Sequence, residues 1–399
     1  MAIAYEHSHI DQRASWSAVL SMSLCVAVLI ASEFMPVSLL SPIASDLAMT
    51  EGQAGQAIAV SGIFAVITSL TIAWLTRRLD RRLVVLGLTG LLVVSGIIVA
   101  AAPGYLAFMA GRAVLGIAIG GFWSMSTSIV MRLVSHGEVP KGLAILNAGN
   151  AIAATVAAPL GSFLGAYVGW RWAFFLVVPL GLGALVWQKA SLPSLPPSQR
   201  DSAGNVLRLL GRRHVVLGMA AIFCLFMGQF ALFTYLRPFL EQVTRVSLPG
   251  LSILLLIMGA AGVGGTWAIG RLLSTRLFSI LAAIPLLMAG LATALVAFGS
   301  HVATVALLLT AWGFLGTAAP VGWGTWISRA LPDDAEAGGG LQVAVIQLAI
   351  TAGAATGGLL FDAIGWQSTF LLSAASLAAS SALAGITWRI TARRRACRA

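Results

Sequence analysis

The sequence predicts an all-α membrane protein of twelve transmembrane helices, arranged as two pseudo-symmetric six-helix halves with both termini in the cytoplasm. Composition, charge placement and an internal repeat carry that expectation. Of the 399 residues, 59% are apolar and only 9% are charged, with a mean hydropathy of +0.94. Soluble domains carry roughly a quarter of charged residues, so this chain belongs to another class.

Apolar runs of about 20 residues, the length that crosses a hydrocarbon core, occupy 16–40, 55–75, 83–102, 105–130, 142–167, 172–188, 214–236, 250–270, 278–298, 302–327, 340–361 and 369–388. The longest polar interval, Gln188 to Arg213, contains Pro193, Pro196 and Pro197 and separates six runs from six. It reads as a linker. The chain thus divides into a tail 1–15, a first bundle 16–188, a cytoplasmic linker 189–213, a second bundle 214–390 and a basic tail 391–399. The first apolar run is too long for a signal peptide and is expected to be retained.

The net charge of +11 suggests a polyanion partner only until the charges are placed. Of 24 basic residues, twenty fall in segments on the side of the two termini; Arg171, Arg237 and Arg245 fall opposite, and only Arg112 lies within a span. That asymmetry is the positive-inside rule, a signal of topology that excludes the nucleic-acid reading. Cys25, Cys224 and Cys397 offer neither a disulfide framework nor a metal-ligand spacing. Hydrolase, zincin and phosphate-loop signatures are missing, so the expectation is a non-enzyme without metal or cofactor.

The repeat is read at an offset of 196. Glu33-Phe34 with Pro42 recurs as Gln229-Phe230 with Pro238, and Gly161, Gly169, Trp170 and Phe174 recur as Gly357, Gly365, Trp366 and Phe370. Arg132 matches Arg329 after one insertion. Halves of six spans enter the membrane in the same orientation, giving a parallel repeat about the membrane normal. A carboxylate deep in an apolar span is costly and is a functional candidate by default. The repeat pairs Glu33 with its neutral amide counterpart Gln229, and we expect the two to face each other across the pseudo-two-fold.

Other candidates follow from pattern. Arg77, Arg78, Asp80, Arg81 and Arg82 fill the short loop between the second and third spans, where ion pairs and tight turns could gate helix ends, or where a basic loop simply obeys topology. Arg112, Gly116, Gly120, Ser124 and Ser128 form an i+4 stripe on the fourth span. Its small residues permit close helix approach, and Arg112 cannot discard its charge. Asn147 and Asn150 share a face of the fifth span ahead of Ala158-Pro159-Leu160-Gly161-Ser162. Gln229, Gln342 and Gln347 are amides inside spans, although Gln342 and Gln347 do not share one narrow face. Phe122, Trp123, Phe230, Phe233, Trp323 and Trp326 offer flat faces to a planar ligand, or fill the core.

The loop, the arginine–glycine stripe and the Pro159 segment resemble signatures of the major facilitator superfamily, the last of them its antiporter branch. Glu33-Phe34 to Leu40, Gly120-Gly121-Phe122-Trp123, Ser191 to Pro196, Phe233-Thr234-Tyr235, Pro320-Val321-Gly322-Trp323 and Gln342 to Leu348 resemble, more specifically, the bacterial purine ribonucleoside efflux family of its drug:proton antiporter branch. The resemblance implies a monomeric inner-membrane exporter of inosine and guanosine, driven by the proton gradient. Glu33 and Arg112 would then handle protons. Gln229, Asn147, Asn150, Trp123, Phe230, Trp323, Gln342 and Gln347 would bind cargo. An exporter of sugars or amphipathic drugs, or a non-transporting receptor or scaffold, remains open at this point.

Overall fold

The computed structural model describes residues 15–135, 138–197, 209–331 and 335–396, with the side chains of 73, 140, 270–276, 328, 335–337 and 391–396 left undescribed. The tail before Ser15, most of the linker's second half and the charged side chains of the C-terminal tail lie outside that description. Among the described residues twelve helical spans are long and apolar enough to cross a membrane. They run Trp16–Asp46, Glu51–Ile72, Arg81–Ala100, Tyr105–Leu133, Lys141–Tyr167, Trp170–Ser191, Arg213–Gln242, Leu248–Ile269, Leu277–Phe298, Val302–Ile327, Gly338–Ile364 and Trp366–Ile390.

Two spans exceed their expected limits. The first continues beyond Leu40 to Asp46, through Pro36 and Pro42. The seventh continues beyond a break at Tyr235 to Gln242 and so takes in Arg237, expected in an outer loop. A charged side chain ends an apolar run in the sequence without ending a helix when the fold supplies its partners. Arg237 is 3% exposed, so the expectation that Arg112 is the one cation within a span is corrected. Arg81, at the start of the third span, is also buried.

The two halves repeat in their packing detail. Gly116 of the fourth span lies on the Ser61 carbonyl of the second, and Gly313 of the tenth lies on the Met258 carbonyl of the eighth. Both members of this pair are related by an offset of 197. One turn on, Gly120 lies on the Ala65 carbonyl; at the same offset Thr317 donates to the Gly262 carbonyl at 2.7 Å. A side chain at Gly116 or Gly120 would strike backbone, so backbone-to-backbone approach is what these small residues permit. Gly169 and Gly365 both have positive φ, 86° and 113°, and each turns the chain into a tryptophan that meets the phenylalanine four residues later edge-on.

Between the halves the second span packs on the eleventh and the fifth on the eighth, an exchange consistent with the same pseudo-two-fold. The first and seventh spans meet beside them. Buried apolar residues form two clusters that largely follow the halves, with Val37, Ile58 and Tyr235 crossing over at the seam.

Candidate functional site

The site begins with a backbone defect. Proline has no N–H, so Pro36 leaves the carbonyl of Ser32 without its helical partner, and Pro42 does the same for Ser38. A bare carbonyl in a membrane interior is costly. Each is taken by a buried arginine: Arg112 Nη1 donates to Ser32 O at 2.7 Å, and Arg237 Nη1 donates to Ser38 O. Arg112 also donates from Nη2 to Glu33 O and Ser61 Oγ, both at 3.1 Å, and from Nε to Ala57 O at 3.1 Å. Its exposure is 0%, so these four acceptors replace water entirely.

Arg112 therefore binds the backbone of Glu33 and acts on its carboxylate through space. The Glu33 side chain is 2% exposed, and Gln347 of the other half, 7% exposed, packs on Gly62 next to Ser61, the hydroxyl that Arg112 binds. Gln347 Oε1 is buried without a hydrogen-bond partner. The eleventh span can come this close because Gly62 of the second lies directly under Thr351 Oγ1, with the Gln347 carbonyl 3.3 Å from where a Cβ would sit. Beside this polar group Phe34 meets Phe230 with ring centroids 5.3 Å apart, and Phe233 edge-on at 6.4 Å. These repeat-related phenylalanines do touch across the seam.

Glu33 and Gln229 do not, which corrects the expectation that they face each other. Gln229 turns into its own half. Gln229 Nε2 lies against Gly316 of the tenth span, and its Oε1 is buried without a partner. Leu309 stands at the position equivalent to Arg112, fully buried, so the second half has no counterpart of the arginine. Gln347, not Gln229, is the amide that packs on the second span beside Ser61.

The remaining candidates scatter. Trp323 is 1% exposed and packs edge-on to Trp326, which covers Gly218 in the second-half core, away from Glu33. Asn147 is exposed and turns back to its own helix, Nδ2 donating to Leu143 O at 2.9 Å. Asn150, Trp123 and Gln342 are half-buried, and Phe122 is buried. Arg237 and Ser61 escaped the sequence reading; Pro36 and Pro42, each needing a donor for the carbonyl four residues earlier, were the available signal.

The 77–82 loop docks on its own half. Asp80 caps the third span by accepting from Arg82 N at 2.8 Å, and it also accepts from Leu195 N at 2.9 Å and from Ser194 Oγ. Burial pushes its carboxyl upward, but these hydrogen bonds outweigh it and hold the carboxyl below its usual range. Arg81 Nη1 donates to Thr76 Oγ1 at 2.8 Å, and Arg82 Nη2 to Lys189 O at 2.6 Å. Arg77 lies over Trp74, and Arg78 is exposed.

Side-chain hydrogen bonds that join the halves gather, among the described residues, at the end opposite the 77–82 loop. Thr50 Oγ1 and Gly52 N donate to Asp362 at 2.5 and 3.0 Å, Gln242 Nε2 donates to Glu51 at 2.9 Å, and Gln56 Nε2 donates to Ala355 O at 3.2 Å. Arg237 on Ser38 and Ser252 on Ser162 complete the seam. The halves are clasped at the end that carries the first-to-second and eleventh-to-twelfth connections.

A family model described as Major Facilitator Superfamily matches residues 22–338. The chain is 54% identical over 383 residues to the transcription regulatory protein OpdE of Pseudomonas aeruginosa, covering 95% of each chain. It is 42% identical over 379 residues to the purine ribonucleoside efflux pump NepI of Salmonella typhimurium, covering 95% of this chain and 96% of the other. Among solved structures, a bacterial homolog of the human lysosomal transporter Spinster, inward-facing and unoccupied, superposes with a TM-score of 0.74 at 15% identity, over 94% of this chain and 95% of that one. Composition, twelve spans and relatives together make this a multi-pass protein of the bacterial inner membrane. The chain belongs to the major facilitator superfamily.

Proposed function

We propose that this chain exports purine ribonucleosides, inosine and guanosine among them, from the cytoplasm in exchange for protons. The observation that carries the cargo is the 42% identity, over nearly the whole length, to efflux pumps named for purine ribonucleosides. The coupling rests on Glu33, a carboxylate buried at the seam of the halves on a residue whose backbone carbonyl accepts from Arg112. With the basic segments in the cytoplasm, the clasped end is external, so the halves are closed toward the outside. That is the state in which cargo loads and the proton leaves. Clasping the opposite end would expose Glu33 to the outside, where it takes a proton and cargo departs. One proton crossing 100 mV supplies about 2.3 kcal/mol, enough for a gradient of roughly 40-fold.

Phe34, Phe230 and Phe233 form an apolar cluster of tilted and edge-on rings beside the site, an aromatic surface a purine could pack on. The relative at 54% identity bears a regulatory name, yet twelve spans around a buried carboxylate are the plan of a carrier. A related exporter of sugars or amphipathic drugs on the same scaffold makes a different prediction in one assay. Inverted vesicles containing the protein take up tritiated inosine when a pH gradient is imposed, and unlabelled guanosine competes while a lipophilic cation does not. Competition by the cation alone would hand the cargo to the drug class.

A further inference from the structure

Two prolines inside the first span free two carbonyls, and the protein serves them differently. Ser32 O is met by Arg112 of the fourth span, which belongs to the same half and travels with it. Ser38 O is met by Arg237 of the seventh span, which belongs to the other half. This contact is buried, with Ser38 at 0% and Arg237 at 3% exposure. The clasp's other ties are partly buried or exposed: Thr50 and Gly52 on Asp362, Gln242 on Glu51, Gln56 on Ala355 and Ser252 on Ser162. Bonds that water can replace gain little on closure, whereas a bond in a dry seam has no substitute.

Arg237 is anchored on its own side. It lies in the short stretch Leu236–Gln242 that follows the break at Tyr235. Its Nε donates to Glu241 Oε1 at 2.7 Å. Phe239 packs its ring on Trp366 and Phe370, with centroids 5.0 and 4.8 Å apart, and the Tyr235 hydroxyl donates to Ala354 O at 2.8 Å. All these partners belong to the second half. The repeat sharpens the contrast. Pro238 is the counterpart of Pro42, and there the helix ends at Thr234, the residue whose carbonyl the proline frees. In the first span the helix runs on through Pro42 to Asp46 and takes its donor from across the seam. Ser41 stands where the repeat would place a second arginine, and its hydroxyl donates to Glu51 at 3.1 Å.

We infer that Arg237 is the removable donor that lets the outer end shut: Ser38 O takes the guanidinium when that end is closed and water when it is open. Carriers of this plan work by rocking one half against the other. As the outer end parts, Arg237 leaves with the second half, and both it and Ser38 O meet water. The carbonyl freed by Pro42 therefore tolerates the open state unaided, but a dry closed state requires Arg237. Pro42 thus creates a docking point on the first half that an unbroken helix would not offer. Glu241 is 24% exposed, so loss of its arginine partner does not select between the two states. The role concerns the outer gate and holds for whatever cargo the site carries.

The test is a two-by-two set of full-length protein in nanodiscs: wild type, Pro42→Ala, Arg237→Met and the double variant. Spin labels at Met49 and Ala363 report whether the outer end is closed. Arg237→Met leaves Ser38 O unpaired on closure, so the closed-to-open ratio is expected to fall roughly tenfold. Pro42→Ala returns an N–H to Ser38 O in both states, and in that background the same substitution should change the ratio by less than about twofold. Arg237→Lys should stay closed, because an ammonium can still donate to both Ser38 O and Glu241. An equal fall in the two backgrounds would assign Arg237 to packing or to Glu241 and overturn the proposal. So would an unchanged ratio in Arg237→Met, or opening by Arg237→Lys to the same extent. If Arg237→Met gives no folded protein, folded yield reads the same coupling: recovery on adding Pro42→Ala supports the proposal, and absence of recovery overturns it.

Discussion

Arg112→Lys keeps the charge at the seam and removes the geometry, which makes it the sharpest probe of how the site is held. The guanidinium satisfies four acceptors, Ser32 O, Glu33 O, Ser61 Oγ and Ala57 O, at 2.7 to 3.1 Å and with no exposure to water. An ammonium has three donors around one atom and cannot reproduce a planar fork. At least one buried acceptor is left unpaired, at about 1–3 kcal/mol. For a chain of this length roughly 2 °C of apparent melting temperature accompanies each kcal/mol, so a fall of about 2–6 °C is expected by tryptophan fluorescence in detergent. Arg112→Met should fall further, because the carbonyl freed by Pro36 then has no donor at all. Pro36→Ala supplies the missing N–H within the helix, so it should rescue part of the Arg112→Met loss while doing little for the wild type. Unchanged melting in Arg112→Lys, together with no rescue by Pro36→Ala, would refute the account of Arg112 as the partner of a proline-freed carbonyl.

The outer clasp and the loop on the other side give further expectations. Asp362→Ala removes the acceptor for Thr50 and Gly52 at the N-terminus of the second span, weakening closure by about 1 kcal/mol and shifting the closed-to-open ratio roughly fivefold. Spin labels at Met49 and Ala363 should then report a larger long-distance population, and an unchanged distribution would count against the clasp. Asp80→Ala loses an N-cap worth about 1 kcal/mol. Because the hydrogen bonds hold the folded-state carboxyl low, its contribution is fully present above about pH 4 and disappears as pH falls through the folded-state value. The melting difference between wild type and Asp80→Ala should accordingly be present at pH 7 and shrink below about pH 4. Gly120→Val would strike the Ala65 carbonyl and force the second and fourth spans apart; we expect poor expression and loss of transport, whereas Gly183→Val, at a position with open space, should be tolerated.

Much of this was legible because membrane spans announce themselves by composition, and because a duplicated half leaves matched residues. The repeat predicted from Gly169-Trp170 and Gly365-Trp366 returns as two positive-φ turns with the same edge-on aromatic pair. Burial of Glu33 and Arg112 was also readable, since an apolar run leaves a charge few places to go. What escaped was direction. Glu33 and Gln229 are equivalent in sequence, but a two-fold brings equivalent side chains together only beside its axis: Phe34 meets Phe230 there, while Gln229 lies against Gly316 of its own half. Which amide comes to the seam beside Ser61 depends on the second span meeting the eleventh at Gly62, a contact across nearly 300 residues. Trp323 has the chemistry of a stacking platform, and only packing against Trp326 and Gly218 assigns it to the core. Arg237 was hidden by its charge, although Pro42 four residues beyond Ser38 marked the carbonyl it serves.

Glu33→Gln puts the central claim to its most direct test, since it removes the proton site and leaves a side chain of the same shape at the seam. In inverted vesicles the wild type should accumulate tritiated inosine when the lumen is made acidic, and exchange labelled for unlabelled inosine without any gradient. The account predicts that Glu33→Gln retains exchange and loses accumulation driven by pH. Accumulation by Glu33→Gln that still follows the pH gradient would contradict it.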